Sequence, residues 1–176
     1  AVRARAAAVP ADPLASGRIR LRGTTLRLEV AEGRGRERVE LAGDALVLRV
    51  RPGSGDERRA ALLDAWLGER LLEAALPLVE LWSARLGVKP ARVQARRMKT
   101  RWGSCSVRTG AIRLGLELAS KPPECLEYVV VHELAHLLEP GHGPRFHAIV
   151  ERALPDWKER KAALRGVSGG SHKHYK

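Results

Sequence analysis

Alternating apolar and polar positions characterise residues 17–55. Residues 18–30 alternate aliphatic side chains with charged or polar ones around a turn at Gly23-Thr24, and shorter segments of the same kind occupy residues 39–41 and 45–50. A period of two is typical of β-strands that bury one face. We therefore expect these residues to form a small N-terminal antiparallel β-sheet.

A helical period replaces this alternation between residues 56 and 86. Leucine, tryptophan and alanine recur there every three or four residues, as they do on the buried face of a core helix. Pro77 removes one backbone donor inside the segment, and we expect it to kink the helix or to divide it in two. We interpret residues 56–88 as a helical connector between the N-terminal sheet and a second unit.

The second unit, residues 89–166, combines strands and helices. Residues 93–106 predict one strand, with Gly103 near its end, and residues 112–118 alternate in a second strand. A mostly apolar stretch follows at residues 128–140, and amphipathic helical segments come after it. Strands and helices that occupy separate parts of the chain are typical of the α+β class.

The two ends of the chain lack this periodicity. Residues 1–16 are rich in alanine, arginine and proline, and residues 167–176 are rich in glycine, serine and histidine. Because few large apolar side chains are available there to offset the entropy of ordering, we expect both segments to be disordered.

A five-residue pattern inside the apolar stretch, His132-Glu133-Leu134-Ala135-His136, predicts a metal site. Positions four apart lie on the same face of a helix, so His132 and His136 can direct two imidazole nitrogens at one ion. Glu133 would lie beside that ion, where its carboxylate can take a proton from an activated water. The pattern therefore predicts two zinc ligands and a general base.

The flanking residues favour a helix around this pattern. Pro122-Pro123 suits a first helical turn, Ser120 is available as a cap, and Pro140-Gly141 is expected to end the helix.

A catalytic zinc needs a third protein ligand and an open position for water. We expect His142, just beyond the turn at Pro140-Gly141, to be that ligand. Glu139, His147 and Glu151 are alternatives of suitable type and spacing.

His142 also stands where metzincins have their third histidine. That pattern requires glycine at the position of Glu139 and a methionine turn after the motif, whereas the single methionine, Met98, precedes it. The sequence therefore excludes a metzincin.

Composition adds a strongly basic surface to this picture. The chain has a formal net charge of +12 and a pI of about 10.8, with arginines spread along its whole length. Such a surface favours non-specific association with nucleic acids or other polyanions. The two cysteines, Cys105 and Cys125, form no C-x-x-C pair, and no apolar segment is long enough to span a membrane. We therefore expect a cytoplasmic location with reduced thiols and no membrane partner.

Several segments around the motif match one family pattern. They are MKTRWGSCS at residues 98–106, IRL at 112–114, YVVVHELAHL at 128–137, GHGPRF at 141–146 and LPD at 154–156. Together they strongly resemble the YgjP-like metallopeptidases, relatives of the SprT-like proteases and the minigluzincins, over residues 14–165. The resemblance implies a zincin-like catalytic core of antiparallel strands plus the HExxH helix at residues 89–166, preceded by a β extension. It also implies that His132, His136 and His142 bind zinc and that Glu133 is the general base.

Three functions fit these observations. The first is a zinc-dependent metallopeptidase acting on a peptide or protein substrate, with Arg101, Tyr128 and Arg145 as candidates for contacts with the substrate or its oxyanion. The second is a metal-dependent phosphohydrolase acting on nucleotides, which the basic surface would suit. The third, a nucleic-acid-binding module with a structural zinc, is disfavoured because three histidines leave a coordination position open and Glu133 would have no role.

Overall fold

The computed structural model describes residues 12–166 of the 176-residue chain. Over this range the elements are α1 (Pro13–Ser16), β1 (Arg18–Leu21), β2 (Thr24–Glu32), β3 (Arg38–Ala42), β4 (Ala45–Val50), α2 (Asp56–Leu86), β5 (Arg92–Arg96), β6 (Gly103–Ser106), β7 (Ala111–Gly115), a 3-10 helix (Leu116–Ser120), α3 (Pro123–Ala135), α4 (Pro144–Ala153) and α5 (Trp157–Gly166). The expected α+β class is confirmed.

Residues 12–16, the described part of the segment expected to be disordered, form a cap and the short helix α1. The carboxylate of Asp12 accepts a hydrogen bond from the backbone N–H of Leu14 at 2.9 Å, and Pro13 occupies the first turn of α1. The side chain of Leu14 packs against the N-terminal core. An aspartate cap followed by proline is a helix-start signal, and a judgement based on composition alone does not detect it. Residues 1–11, like the 167–176 tail, lie outside the described residues.

The N-terminal sheet has the strand order β1-β2-β4-β3. β1 pairs with β2 and β3 pairs with β4 in antiparallel fashion, but β2 and β4 are parallel. The sheet is therefore mixed. The prediction of an antiparallel sheet for this region is wrong for the pairing of β2 with β4. β4 takes an inner position because it is the most apolar strand, with Leu46 and Leu48 fully buried, while the more polar β3 lies at an edge.

One helix, α2, continues through Pro77 for 31 residues. Pro77 is exposed, and so is Glu73, whose carbonyl oxygen loses its helical donor, so water can bind that oxygen. α2 is more than a connector: Leu63 belongs to the core under the N-terminal sheet, and Leu71 and Trp82 belong to the core of the second unit. Leu67 packs against both cores.

The second sheet has the order β5-β7-β6, with β5 parallel and β6 antiparallel to the central β7. The prediction of a single strand over residues 93–106 is therefore wrong. The prediction of antiparallel core strands is wrong for the pairing of β5 with β7. The intervening residues 97–102 leave the sheet because their side chains make tertiary contacts. Arg97 pairs with Asp64 of α2, and Trp102 is 2% exposed.

The segment before α3 also differs from expectation. The 3-10 helix replaces the end of the second predicted strand, and the Ser120 hydroxyl donates a hydrogen bond to the Glu117 carbonyl at 2.7 Å instead of capping α3. Pro122 occupies the cap position of α3 without a side-chain hydrogen bond. Among residues 12–166, no helix has the length and hydropathy that crossing a membrane requires.

Candidate metal centre

The second half of α3, which carries the histidine pattern, is buried on all sides. Every residue from Tyr128 to Ala135 is buried, which explains why the sequence is apolar there without a helical period. Two polar side chains are nevertheless inside: His132 is 3% exposed and Glu133 is 2% exposed. Ionisable side chains are rarely buried without a specific partner or function, so these two mark a site.

Three histidines converge at the end of α3. The ligand atoms of His132, His136 and His142 all lie within 4.8 Å of one another, which allows them to hold one metal ion. The Nε2 atoms of His132 and His142 are 3.1 Å apart. Two nitrogens that each bind a tetrahedral zinc at about 2.0–2.1 Å are separated by roughly 3.3 Å, so the donor set fits such an ion.

An early end of α3 brings the third histidine to the first two. α3 ends at Ala135, with His136 as the C-cap, rather than at Pro140-Gly141. The backbone N–H groups of Leu137 and Leu138 bond to carbonyl oxygens three residues earlier, at 3.0 Å in both cases. Bonds of this type tighten the last turn and redirect the chain, so the predicted longer helix is wrong.

The same turn orients the His136 ring. Its Nδ1 lies 3.2 Å from the carbonyl oxygen of Glu139. A carbonyl oxygen can only accept, so Nδ1 must carry the proton and Nε2 keeps its lone pair. Metal-binding histidines commonly have such a partner on the other ring nitrogen.

All three imidazoles have a pKa below the ordinary value for histidine. The pKa of His132 is lowered to about 2, first by burial and then by the nearby His136 and His142. The pKa values of His136 and His142 are also lowered, again chiefly by burial. Since neutral imidazole is the form that binds a metal ion, the cluster is in its binding form at neutral pH.

One aromatic ring supports all three histidines. The centroid of the Phe146 ring on α4 lies 4.8 Å from that of His132, 4.6 Å from that of His136 and 4.8 Å from that of His142. Phe146 is 1% exposed. From the sequence, Phe146 was noted only as part of the GHGPRF segment at residues 141–146. Its position as the sole phenylalanine of the chain, four residues after His142, was the available signal.

The carboxylate of Glu133 is held against a backbone. A Cβ atom placed on Gly103, the first residue of β6, would lie 2.6 Å from Oε1 of Glu133 and 2.9 Å from its Cγ. Only glycine leaves room for the carboxylate there. An isolated glycine inside a strand pattern is the sequence signal for such a close approach.

The three candidates for contacts with the substrate or the oxyanion have different surroundings in the structure. Tyr128 is 1% exposed and its ring lies 5.8 Å from that of His132 and 6.4 Å from that of Trp157, which favours a role in the core. Arg101 is exposed in the loop before β6. The Arg145 side chain is 90% exposed, with its Nε 3.7 Å from a carboxylate oxygen of Glu139.

The other residues considered as third ligand lie outside the cluster. Among the described residues, the group that could hold an ion contains neither Glu139, His147 nor Glu151. Glu139 faces Arg145, and the His147 ring stacks on that of Trp157 with centroids 5.4 Å apart.

Comparison with known proteins connects this geometry to a family. A family model, the YgjP-like metallopeptidase domain, matches residues 1–166. No curated protein matches the chain significantly. Among solved structures, the chain is similar to the metallopeptidase zymogen abylysin of Pyrococcus abyssi, with 25% identity and a TM-score of 0.51 over 56% of this chain and 98% of that one. A second similar structure is the metallopeptidase zymogen jannalysin of Methanocaldococcus jannaschii, with 21% identity and a TM-score of 0.46 over 51% of this chain and 92% of that one.

The likeness to abylysin extends over almost the whole of that protein and supports the zincin-like fold. The matched residues include α3 with its buried glutamate, the three histidines, and the strand β6 whose Gly103 lies against that glutamate. A metallopeptidase family implies a catalytic metal, and the histidine cluster is an arrangement that can hold one. On these grounds the chain belongs to the YgjP-like metallopeptidase family.

Proposed function

We propose that this protein is a zinc-dependent peptidase in which His132, His136 and His142 hold the ion and Glu133 is the general base. The observation that carries the proposal is the convergence of three imidazoles at the end of the helix that also buries Glu133. Three protein ligands leave a coordination position open, as catalytic zinc sites require. When bound, zinc supplies an activated water at neutral pH and polarises the scissile carbonyl.

The donor set supports zinc as the ion. Imidazole nitrogens suit zinc, copper, iron and nickel, whereas magnesium and calcium prefer oxygen ligands. The cluster contains three imidazoles and no carboxylate. The 3.1 Å separation of the His132 and His142 Nε2 atoms suits tetrahedral coordination.

Glu133 has the properties of a proton carrier. It directly follows His132 on α3, it is 2% exposed, and the close backbone of Gly103 restricts where its carboxylate can lie. A carboxylate held in this way can take a proton from the attacking water and deliver it to the leaving amine. Arg101 and Arg145, both exposed, stay predictions for contacts with the substrate or the oxyanion.

An extended peptide has a strand to pair with beside Glu133. β6 pairs only with β7 in the described sheet, so its other edge is an edge-strand surface. Peptides commonly bind such edges through main-chain hydrogen bonds. Because Gly103 of β6 contacts Glu133, a peptide along this edge would have its carbonyls close to the base.

The test compares Glu133→Gln with the wild-type protein after zinc loading. The amide cannot accept a proton, so hydrolysis of a peptide library or an unfolded protein should fall by about 100-fold or more while zinc is retained. Glu151→Gln, an exposed position, is the matched control and should keep the wild-type rate. A Glu133→Gln protein that holds zinc and hydrolyses at the wild-type rate would contradict the proposal.

Nucleoside triphosphates belong in the same assay, because the basic surface also suits a phosphohydrolase. Hydrolysis of these substrates and of no peptide, with the same loss in Glu133→Gln, would favour that second function. The cytoplasmic location and the association with nucleic acids or other polyanions stay predictions from composition.

A further inference from the structure

A basic cavity lies along α5, the helix whose Trp157 stacks on Tyr128 of α3. Its volume is about 570 Å³, and it is lined by Trp157, Lys158, Lys161, Ala162 and Arg165. Three of these five residues are cations, and the described lining contains no carboxylate. Like charges that share a cavity repel one another, so the arrangement favours an anionic ligand.

Two of the cations, Lys158 and Lys161, lie over the indole ring of Trp157. The Nζ atoms of Lys158 and Lys161 lie 5.6 and 5.7 Å from the centre of the Trp157 ring. The pKa of Lys161 is lowered, first by its partial burial and then by the nearby charge of Arg165. Within residues 12–166 the ion pairs made by α5 involve Arg160 alone, so these three cations form no ion pair there.

Aromatic contacts join the cavity to the metal centre. The Trp157 ring stacks on that of His147 at 5.4 Å and on that of Tyr128 at 6.4 Å, and Tyr128 in turn contacts His132. The cavity is therefore on the flank of the proposed catalytic site.

We propose that this cavity binds a carboxylate of the peptide substrate and that Lys158, Lys161 and Arg165 thereby determine specificity. The inference rests on the proposed peptidase function and names its substrate class: peptides with a carboxylate near the scissile bond. Two sources supply this chemistry, an acidic side chain or the C-terminus of the peptide. The indole face gives the methylene groups of a glutamate or the end of a peptide chain an apolar surface to contact.

The lining favours a carboxylate over a nucleotide polyphosphate. Nucleotide phosphates normally bind together with Mg²⁺, which takes protein carboxylates as ligands. The described lining offers none. A peptide carboxylate needs no such ion and can pair directly with lysine and arginine.

The test measures binding and cleavage of the same peptides. One set consists of octapeptides with blocked ends in which a single glutamate, or glutamine as its neutral match, is moved along an alanine chain. A second set carries a free or an amidated C-terminus. Binding is measured on zinc-loaded Glu133→Gln protein, and cleavage on the wild-type protein. The cavity variants Lys158→Gln, Lys161→Gln and Arg165→Gln are introduced into both.

We expect a preference for the carboxylate-bearing peptide of about three- to tenfold, since partly exposed charge pairs contribute modestly. Each cavity variant should reduce this preference and leave binding of the neutral peptide unchanged. Added salt should reduce it as well. Arg34→Gln, in the loop between β2 and β3, removes the same charge from the N-terminal sheet and should leave the preference intact.

Equal binding of charged and neutral peptides by the wild-type cavity would overturn the inference. So would a preference that all three variants retain, or tighter binding of a nucleoside triphosphate that the same variants abolish. A preference that depends on the cavity, found without cleavage of any peptide, would support the carboxylate site and contradict the peptidase function. The two proposals can therefore fail separately.

Discussion

The backbone of Gly103 in β6 packs directly against the side-chain carboxylate of Glu133 in α3. A Cβ atom at position 103 would lie 2.6 Å from Oε1 and 2.9 Å from Cγ of Glu133, closer than real Cβ contacts allow. Both residues are buried, so neither neighbour has free space into which to move. The place of the proposed base is thus set by a main-chain segment, which is more rigid than a side chain.

This contact predicts the effect of Gly103→Ala. The added methyl group must displace Glu133, so we expect kcat to fall by at least about tenfold while zinc is retained. Overpacking should also lower the free energy of unfolding by about 1–3 kcal/mol. Steady-state kinetics, metal analysis and denaturant unfolding measure the three effects. Ser104→Ala, the next residue of β6, is the control, and equal kinetics in both variants would contradict the role of this contact.

The third ligand is tested by removing one of two neighbouring histidines. His142 belongs to the three-histidine cluster, whereas His147 lies outside it. We expect His142→Ala to weaken zinc binding by more than about 100-fold, because loss of a ligand exceeds the loss of a supporting contact. His147→Ala should weaken it far less. Competition with a chelator gives both affinities, and a reversed order would show that His142 is not the third ligand.

Phe146 contacts all three histidine rings, so its removal should affect both stability and zinc binding. We expect Phe146→Ala to lower the free energy of unfolding of the metal-free protein by about 3–5 kcal/mol. Val150→Ala is a suitable control, because Val150 is equally buried on the same helix. Both variants should be destabilised, and only Phe146→Ala should also weaken zinc binding in the native protein. Equal zinc affinities would assign Phe146 to the core alone.

The pKa of the Cys105 thiol depends on the charge of Glu133. The pKa of its thiol is raised from 9.0 to about 11, first by burial and then by the Glu133 carboxylate. The unfolded chain therefore releases this proton from about pH 9 and the native protein only near pH 11, so this thiol makes stability fall as pH rises through that range.

Replacing Glu133 by glutamine removes the second cause of the raised pKa of Cys105, the nearby carboxylate charge. We expect the pKa of Cys105 in the metal-free Glu133→Gln protein to fall and its alkylation to become faster, because the thiolate is the reactive form. The rate is measured against pH in a Cys125→Ala background, so that one thiol reacts. Glu151→Gln in the same background is the control. An unchanged pH profile in Glu133→Gln would mean that the carboxylate does not act on this thiol.

Sequence periodicity predicted the local elements but not the order of the strands. Most strand and helix positions follow from periods of two or 3.6, because those periods record which face is buried. The parallel pairing of β2 with β4 and of β5 with β7 depends on which strand is the most apolar and takes an inner position, a competition between distant segments. The tertiary contacts of Arg97 and Trp102, which interrupt one predicted strand, are likewise invisible in a local pattern.

The residues of the candidate site likewise fall into a part that local sequence predicts and a part that depends on tertiary packing. His132, Glu133 and His136 lie within one helical turn, so spacing alone brings them together. His142 was selected over three alternatives by ligand type and by the turn at Pro140-Gly141 that precedes it, and it is the one that joins the cluster. Gly103 and Phe146 come from other elements, and their contacts with the site exist only once β6 and α4 are packed on α3.

The side chain of Leu67 packs against both hydrophobic cores, and α2 contributes buried residues to each. Shared apolar contacts therefore cross the boundary between the N-terminal sheet and the metal-binding unit. Elements joined in this way are expected to unfold together, as one cooperative unit. Since binding to the native state alone stabilises the whole unit, an ion held at the end of α3 should also slow amide hydrogen exchange in the distant strand β4.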